Sequence, residues 1–121
     1  MSRILIVEDE ESFSDPLSYL LEKEGFEVAV AADGNEALAA VRSHQPDAVV
    51  MDVMMPILSG MQTLEEMRKT PGLDGVPVIL MSETSPRAST PRHWQAFLKK
   101  PFRLEQLLEA VARVSGVQGR A

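Results

Sequence analysis

Short, unbroken apolar runs alternate with helical stripes along this chain, and that alternation restricts its fold more than any other feature. Ile4 to Val7 is the first run, Val28 to Ala32 the second, Ala48 to Met51 the third and Val78 to Met81 the fourth; Ala96 to Leu98 is a fifth, shorter one. Four consecutive apolar residues without polar alternation describe a strand buried on both faces, as in a parallel sheet. Between the runs, apolar residues recur at helical spacing. Phe13, Leu17, Leu20 and Leu21 form one stripe, Ala37, Leu38 and Val41 a second within 36–43, Met61, Leu64 and Met67 a third, and Leu104, Leu107, Leu108 and Val111 a fourth. Pro16 sits within the first stripe, so either Asp15 caps a helix beginning at Pro16 or an earlier helix bends there; Gly25 is a C-terminal stop. Parallel strands need crossover connections, so the pattern predicts a doubly wound α/β sheet of five parallel strands with helices on both faces.

In such sheets the ligand site lies at the carboxyl ends of the strands. The first run ends in Glu8 and Asp9, the third in Asp52, the fourth in Ser82, and the fifth runs into Lys99 and Lys100. The fold would gather carboxylates, a hydroxyl and an ammonium in one crevice. Clustered carboxylates repel one another and call for a cation, and hard oxygen donors suit Mg2+, which takes one or two carboxylates plus phosphate oxygens. Lysine neutralises phosphate as a point charge and a hydroxyl donates to its oxygens. These are the parts that phosphoryl transfer uses, since it depends on positioning and charge neutralisation.

Four stretches, in order and in register, carry a resemblance: Ile4-Leu5-Ile6-Val7-Glu8-Asp9-Glu10; Pro46-Asp47-Ala48-Val49-Val50-Met51-Asp52-Val53-Met54-Met55-Pro56 with Gly60; Pro77-Val78-Ile79-Leu80-Met81-Ser82; and Lys100-Pro101-Phe102. From Arg3 to about Val114 the chain resembles the receiver domain of bacterial two-component response regulators. The resemblance implies the flavodoxin-like receiver fold. It implies that Asp52 is the phosphoacceptor, taking its phosphoryl group from a histidine kinase or a histidine phosphotransfer protein. Asp9 and Asp52 would hold Mg2+ through carboxylates and Met54 through its backbone carbonyl, with Glu8 in an outer shell. Ser82 would bond a phosphoryl oxygen, Lys100 would pair with the phosphate, and Phe97 stands where the family often has an aromatic that swings with phosphorylation. Pro101-Phe102 sets the register on Lys100 over Lys99.

Two departures from the family stand out. Only 17 residues, 83–99, separate Ser82 from Lys100, with Pro86 and Pro91 among them and no apolar stripe. The helix that the family places there is expected to be short, irregular or replaced by a loop. Glu83 follows the hydroxyl position, where the family has a small residue, and is expected to slow transfer from small phosphodonors. The methionines at 51, 54, 55, 61, 67 and 81 read as core and loop packing, His44 and His93 as surface residues, and Trp94 equally as packing or as a partner surface.

Residues 1–114 are expected to form the receiver and 115–121 a tail, with no output module. The formal net charge of -6 opposes direct binding to nucleic acid or an anionic membrane surface. No apolar stretch approaches the ~18 residues of a membrane span, the N-terminus has no signal-peptide pattern, and the absence of cysteine fits a reducing compartment, so a cytoplasmic location is expected. The predicted role is a phosphorylated receiver that signals by contact with a downstream protein and catalyses nothing beyond its own phosphotransfer and dephosphorylation. Two rivals are a phosphorylation-independent pseudo-receiver, favoured by Glu83, and a small Mg2+-dependent phosphohydrolase, for which 121 residues leave no room for a substrate cap.

Overall fold

A computed structural model describes residues 2–115. Strand β1 spans Arg3–Val7, β2 Glu27–Ala31, β3 Ala48–Asp52, β4 Val78–Ser82 and β5 Ala96–Lys99. All pairings are parallel, in the order β2-β1-β3-β4-β5. Helices α1 (Glu11–Lys23), α2 (Gly34–His44) and α3 (Gly60–Lys69) supply the first three crossovers, and with α4 (Leu104–Ser115), which follows β5, they cover the sheet. The fold is the flavodoxin-like receiver architecture.

Pleating divides each inner strand between two cores. Ile4 and Ile6 of β1, Val50 of β3 and Ile79 of β4 join Leu17 and Leu21 of α1 and Leu107 and Val111 of α4 on one face. Leu5, Val7, Val49, Met51 and Leu80 join Val41 of α2 and Leu64 and Met67 of α3 on the other. The central strands read as unbroken apolar runs because both of their faces are covered. At the edge of the sheet, β2 is partly exposed, and its hydrophobicity is correspondingly patchier.

Helix α1 begins at Glu11 and carries Pro16 inside it, so Asp15 does not cap a helix starting at Pro16 and the earlier start is the one that forms. Pro16 and Ser12 both face solvent, where water can take the Ser12 carbonyl that lacks an intrahelical donor. Leu20, assigned to the inward stripe, instead lies at the surface. Asp33 caps α2 by accepting from the Glu36 N–H at 2.9 Å, and the Glu36 carboxylate accepts in return from the Ala32 N–H at 3.1 Å. A reciprocal capping box between Ser59 and Gln62 starts α3.

Between β4 and β5 no helix forms among residues 83–95. Arg68 on α3 anchors the end of this segment: its guanidinium donates to the His93 carbonyl at 2.9 Å and to the Gln95 side-chain oxygen at 2.9 Å. It also donates to the Asp74 and Val76 carbonyls at 3.1 and 2.9 Å. The planar fork thereby joins the connection before β4 to the connection after it. Trp94 is buried in the second core, beside Phe97 at 6.0 Å between ring centroids. Its role is packing. His93 is exposed, but His44 is half-buried with its Nε2 enclosed and unpaired, which corrects its reading as a surface residue. Of the expected tail only Ser115 lies within the described residues, as the last residue of α4. No helix among the described residues is long and apolar enough to cross a membrane.

Candidate functional site

Two neighbouring strands and the chain just beyond them bring the acids together. β1 and β3 are adjacent, with Val7 level with Met51, so the residues that follow or end these strands converge at one edge. Asp52 ends β3 and is only 6% exposed; Glu8, the first residue past β1, is 2% exposed. Asp9 beside it is open to solvent. Carboxylate oxygens of Glu8, Asp9 and Asp52 lie within 4.8 Å of one another. This all-oxygen, anionic donor set fits a hard divalent cation.

Lys100 comes in from beyond β5. Its backbone N–H donates to the Ser82 carbonyl at 2.7 Å, which fixes its position at the strand end, and the peptide bond to Pro101 is cis. The ammonium reaches Glu8 Oε1 at 3.1 Å and Asp52 Oδ2 at 3.3 Å, while Lys99 points to solvent. Phe13 of α1 lies under the ammonium, 4.2 Å from Nζ to the ring centroid, and Phe102 meets Phe13 edge-on at 6.2 Å. The sequence placed Phe13 only on a helical stripe, because nothing local ties it to a lysine so far along the chain. Its ring adds a cation–π contact to the two ion pairs.

The electrostatics follow from this enclosure. Burial pushes the Glu8 carboxyl up to about 7, assisted by the negative charge of Asp52 and opposed by the Glu10 N–H and the Lys100 ammonium. Burial draws Lys100 down, but Glu8 and Asp52 outweigh it, and the net displacement is upward. Lys100 therefore stays charged at neutral pH.

The loop after β3 shapes the mouth. The Met54 N–H donates to Asp52 Oδ1 at 3.2 Å. Met54's side chain is 75% exposed, so it is neither core nor loop packing, which corrects that reading for this one methionine; Met51, Met67 and Met81 are core, and Met55 and Met61 pack against it. Ile57 adopts φ 68°, a left-handed conformation that a β-branched residue rarely takes. Gly60 closes the loop by donating to the Val53 carbonyl at 2.9 Å. A Cβ there would stand 2.3 Å from the Asp52 carbonyl oxygen, so only glycine permits this approach.

Asp52, Met54, Ser82 and Lys100 line one open cleft together with Glu10, Glu83 and Thr84. Ser82 is buried at the end of β4, whereas Glu83 is exposed at the cleft wall. Phe97 stands apart on β5, half-buried against Trp94. The sequence did not single out Glu10 or Thr84, since strand-end reasoning reaches only the first residue or two beyond each strand.

The response regulator receiver domain family model matches residues 4–112. Among curated relatives, the sensory transduction protein RegX3 of Mycolicibacterium smegmatis is 36% identical over 118 residues, covering 94% of this chain and 50% of its own length. The chain thus spans about half the length of the curated relatives it matches. Two solved structures superpose closely. The receiver domain of sensor histidine kinase PA1611 from Pseudomonas aeruginosa PAO1, solved with a magnesium ion coordinated in its active site cleft, gives a TM-score of 0.86 at 26% identity, over 96% of this chain and 98% of that one. Chemotaxis protein CheY4 of Vibrio cholerae gives 0.84 at 30% identity, over 94% and 98%.

Proposed function

The chain belongs to the response regulator receiver family, and from that premise we propose that Asp52 accepts a phosphoryl group from a phosphohistidine on a sensor kinase or phosphotransfer protein in the cytoplasm. The observation that carries this reading is the meeting of Asp52 with Glu8 and Asp9 within 4.8 Å and with the Lys100 ammonium at 3.3 Å, all at a cleft open to a donor.

An Asp52 carboxylate oxygen attacks phosphorus; the P–O bond forms as the P–N bond breaks, and the imidazole nitrogen leaves with the electron pair. Lys100, held by Glu8 and Asp52, stands where it can pair with the phosphoryl oxygens as the Asp52 charge is consumed. Ser82 donates its hydroxyl to one of those oxygens. Asp9 and Asp52, the Met54 carbonyl and, in an outer shell, Glu8 would hold Mg2+, which when bound supplies positive charge against the incoming dianion. Self-dephosphorylation would use the same residues, with water as acceptor, and the phosphorylated chain would act through a downstream protein.

The test is labelling by a phosphorylated histidine kinase. Asp52→Asn abolishes it, because the amide lacks the nucleophilic oxygen charge; label that persists in this variant identifies another acceptor. Titrating Mg2+ and then beryllofluoride while following amide spectra supplies the second arm. A response confined to Mg2+ returns the pseudo-receiver reading.

A further inference from the structure

Ser82 does not stand alone at the cleft. The Thr84 backbone N–H donates to Ser82 Oγ at 3.2 Å, and the Thr84 hydroxyl oxygen lies 3.4 Å from the same atom. Both side chains line the cleft that holds Asp52 and Lys100. A serine hydroxyl has one hydrogen to give and two lone pairs to receive. The Thr84 N–H occupies one lone pair. Either hydroxyl of the pair can donate to the other; when Thr84 donates to the second lone pair, the Ser82 hydrogen is left to point into the cleft.

We propose that Thr84 is a positioning residue that fixes the Ser82 hydroxyl as a hydrogen-bond donor toward a phosphoryl group on Asp52. The inference rests on the phosphoacceptor reading above and adds a residue to it. A hydroxyl that accepts a hydrogen bond becomes a better donor, so the chain from Thr84 O–H to Ser82 O–H to phosphoryl oxygen strengthens as negative charge arrives at its end. The 3.4 Å separation is long for two hydroxyls and leaves room to shorten when that acceptor is present. Thr84 itself is exposed and packs in neither core, so its hydroxyl can be removed without opening a cavity.

The experiment is calorimetric titration of beryllofluoride into the full chain saturated with Mg2+. Thr84→Val keeps the backbone N–H and the branched shape but removes the hydroxyl, and is expected to weaken binding about three- to tenfold, the loss of one hydrogen bond. Thr84→Ser restores it, and affinity for Mg2+ alone is the same in all three proteins. In a double-mutant cycle the Thr84→Val effect disappears when Ser82 is alanine. Equal or tighter binding by Thr84→Val overturns the inference, as do an altered Mg2+ affinity or an effect that survives in Ser82→Ala. A wild-type chain that binds Mg2+ but no beryllofluoride overturns the phosphoacceptor reading, and this inference falls with it.

Discussion

Glu8 shows how a single buried group links site chemistry to stability. Its carboxyl titrates near 7 in the folded chain and near the ordinary 4.5 once unfolded. Below 4.5 the group is protonated in both states. Between 4.5 and about 7 the folded chain keeps a proton that the unfolded chain has released, so stability is highest at the acid end of this window and falls as pH rises through it. Urea melts in excess EDTA at pH 5 and pH 8 are expected to show this fall, and Glu8→Gln to flatten it. Gly60 constrains the site sterically instead. With the Asp52 carbonyl 2.3 Å from the place a Cβ would take, Gly60→Ala has to push the strand end that carries the candidate nucleophile. Urea denaturation is expected to register a loss of about 1–3 kcal/mol, the usual consequence of overpacking. The strand-end acids and Lys100 were legible in the sequence because strand ends in a doubly wound sheet share one edge. The Phe13 ring beneath Lys100 was not, since 87 positions separate the two and only the folded chain brings them together.

Strands and helices were legible to different degrees, and the reason is burial. Runs covered on both faces, such as Val49 to Met51, announce themselves as unbroken hydrophobicity. Helix α1 was ambiguous because the backbone penalty of Pro16 depends on where the orphaned carbonyl points, which no sequence pattern records. The segment 83–95 was read as departing from a regular helix, and it has none, but what secures it was invisible: Arg68 lies on α3, in a helix whose sequence advertises only its Met61, Leu64 and Met67 stripe. Lysine keeps the charge of arginine but cannot reach several carbonyls and a side-chain amide in one plane. Arg68→Lys is therefore expected to cost about 1–3 kcal/mol. It should also speed tryptic cleavage after the exposed Arg87 and Arg92, followed by mass spectrometry of the fragments; an unchanged cleavage rate would mean the segment is secured elsewhere.

At the scale of the whole molecule, the two cores share one sheet, so neither can come apart alone. Trp94, the single tryptophan, is buried in the core shared with α2 and α3, while far-UV circular dichroism reports α1 and α4 as well. Urea transitions followed by Trp94 fluorescence and by circular dichroism are expected to coincide; separated midpoints would mean that one face unfolds first. The strand order carries a further consequence. From β3 onward, each strand adds to the same growing edge of the sheet: β3 beside β1, β4 beside β3, β5 beside β4. A ribosome releases the chain in that sequence, so no late strand has to be wedged between two already paired. Lys100, just past β5, emerges after every carboxylate of the site. Glu8 and Asp52 gain their shared countercharge only when the outermost strand docks, which makes the last strand to join the sheet the one that equips the cleft.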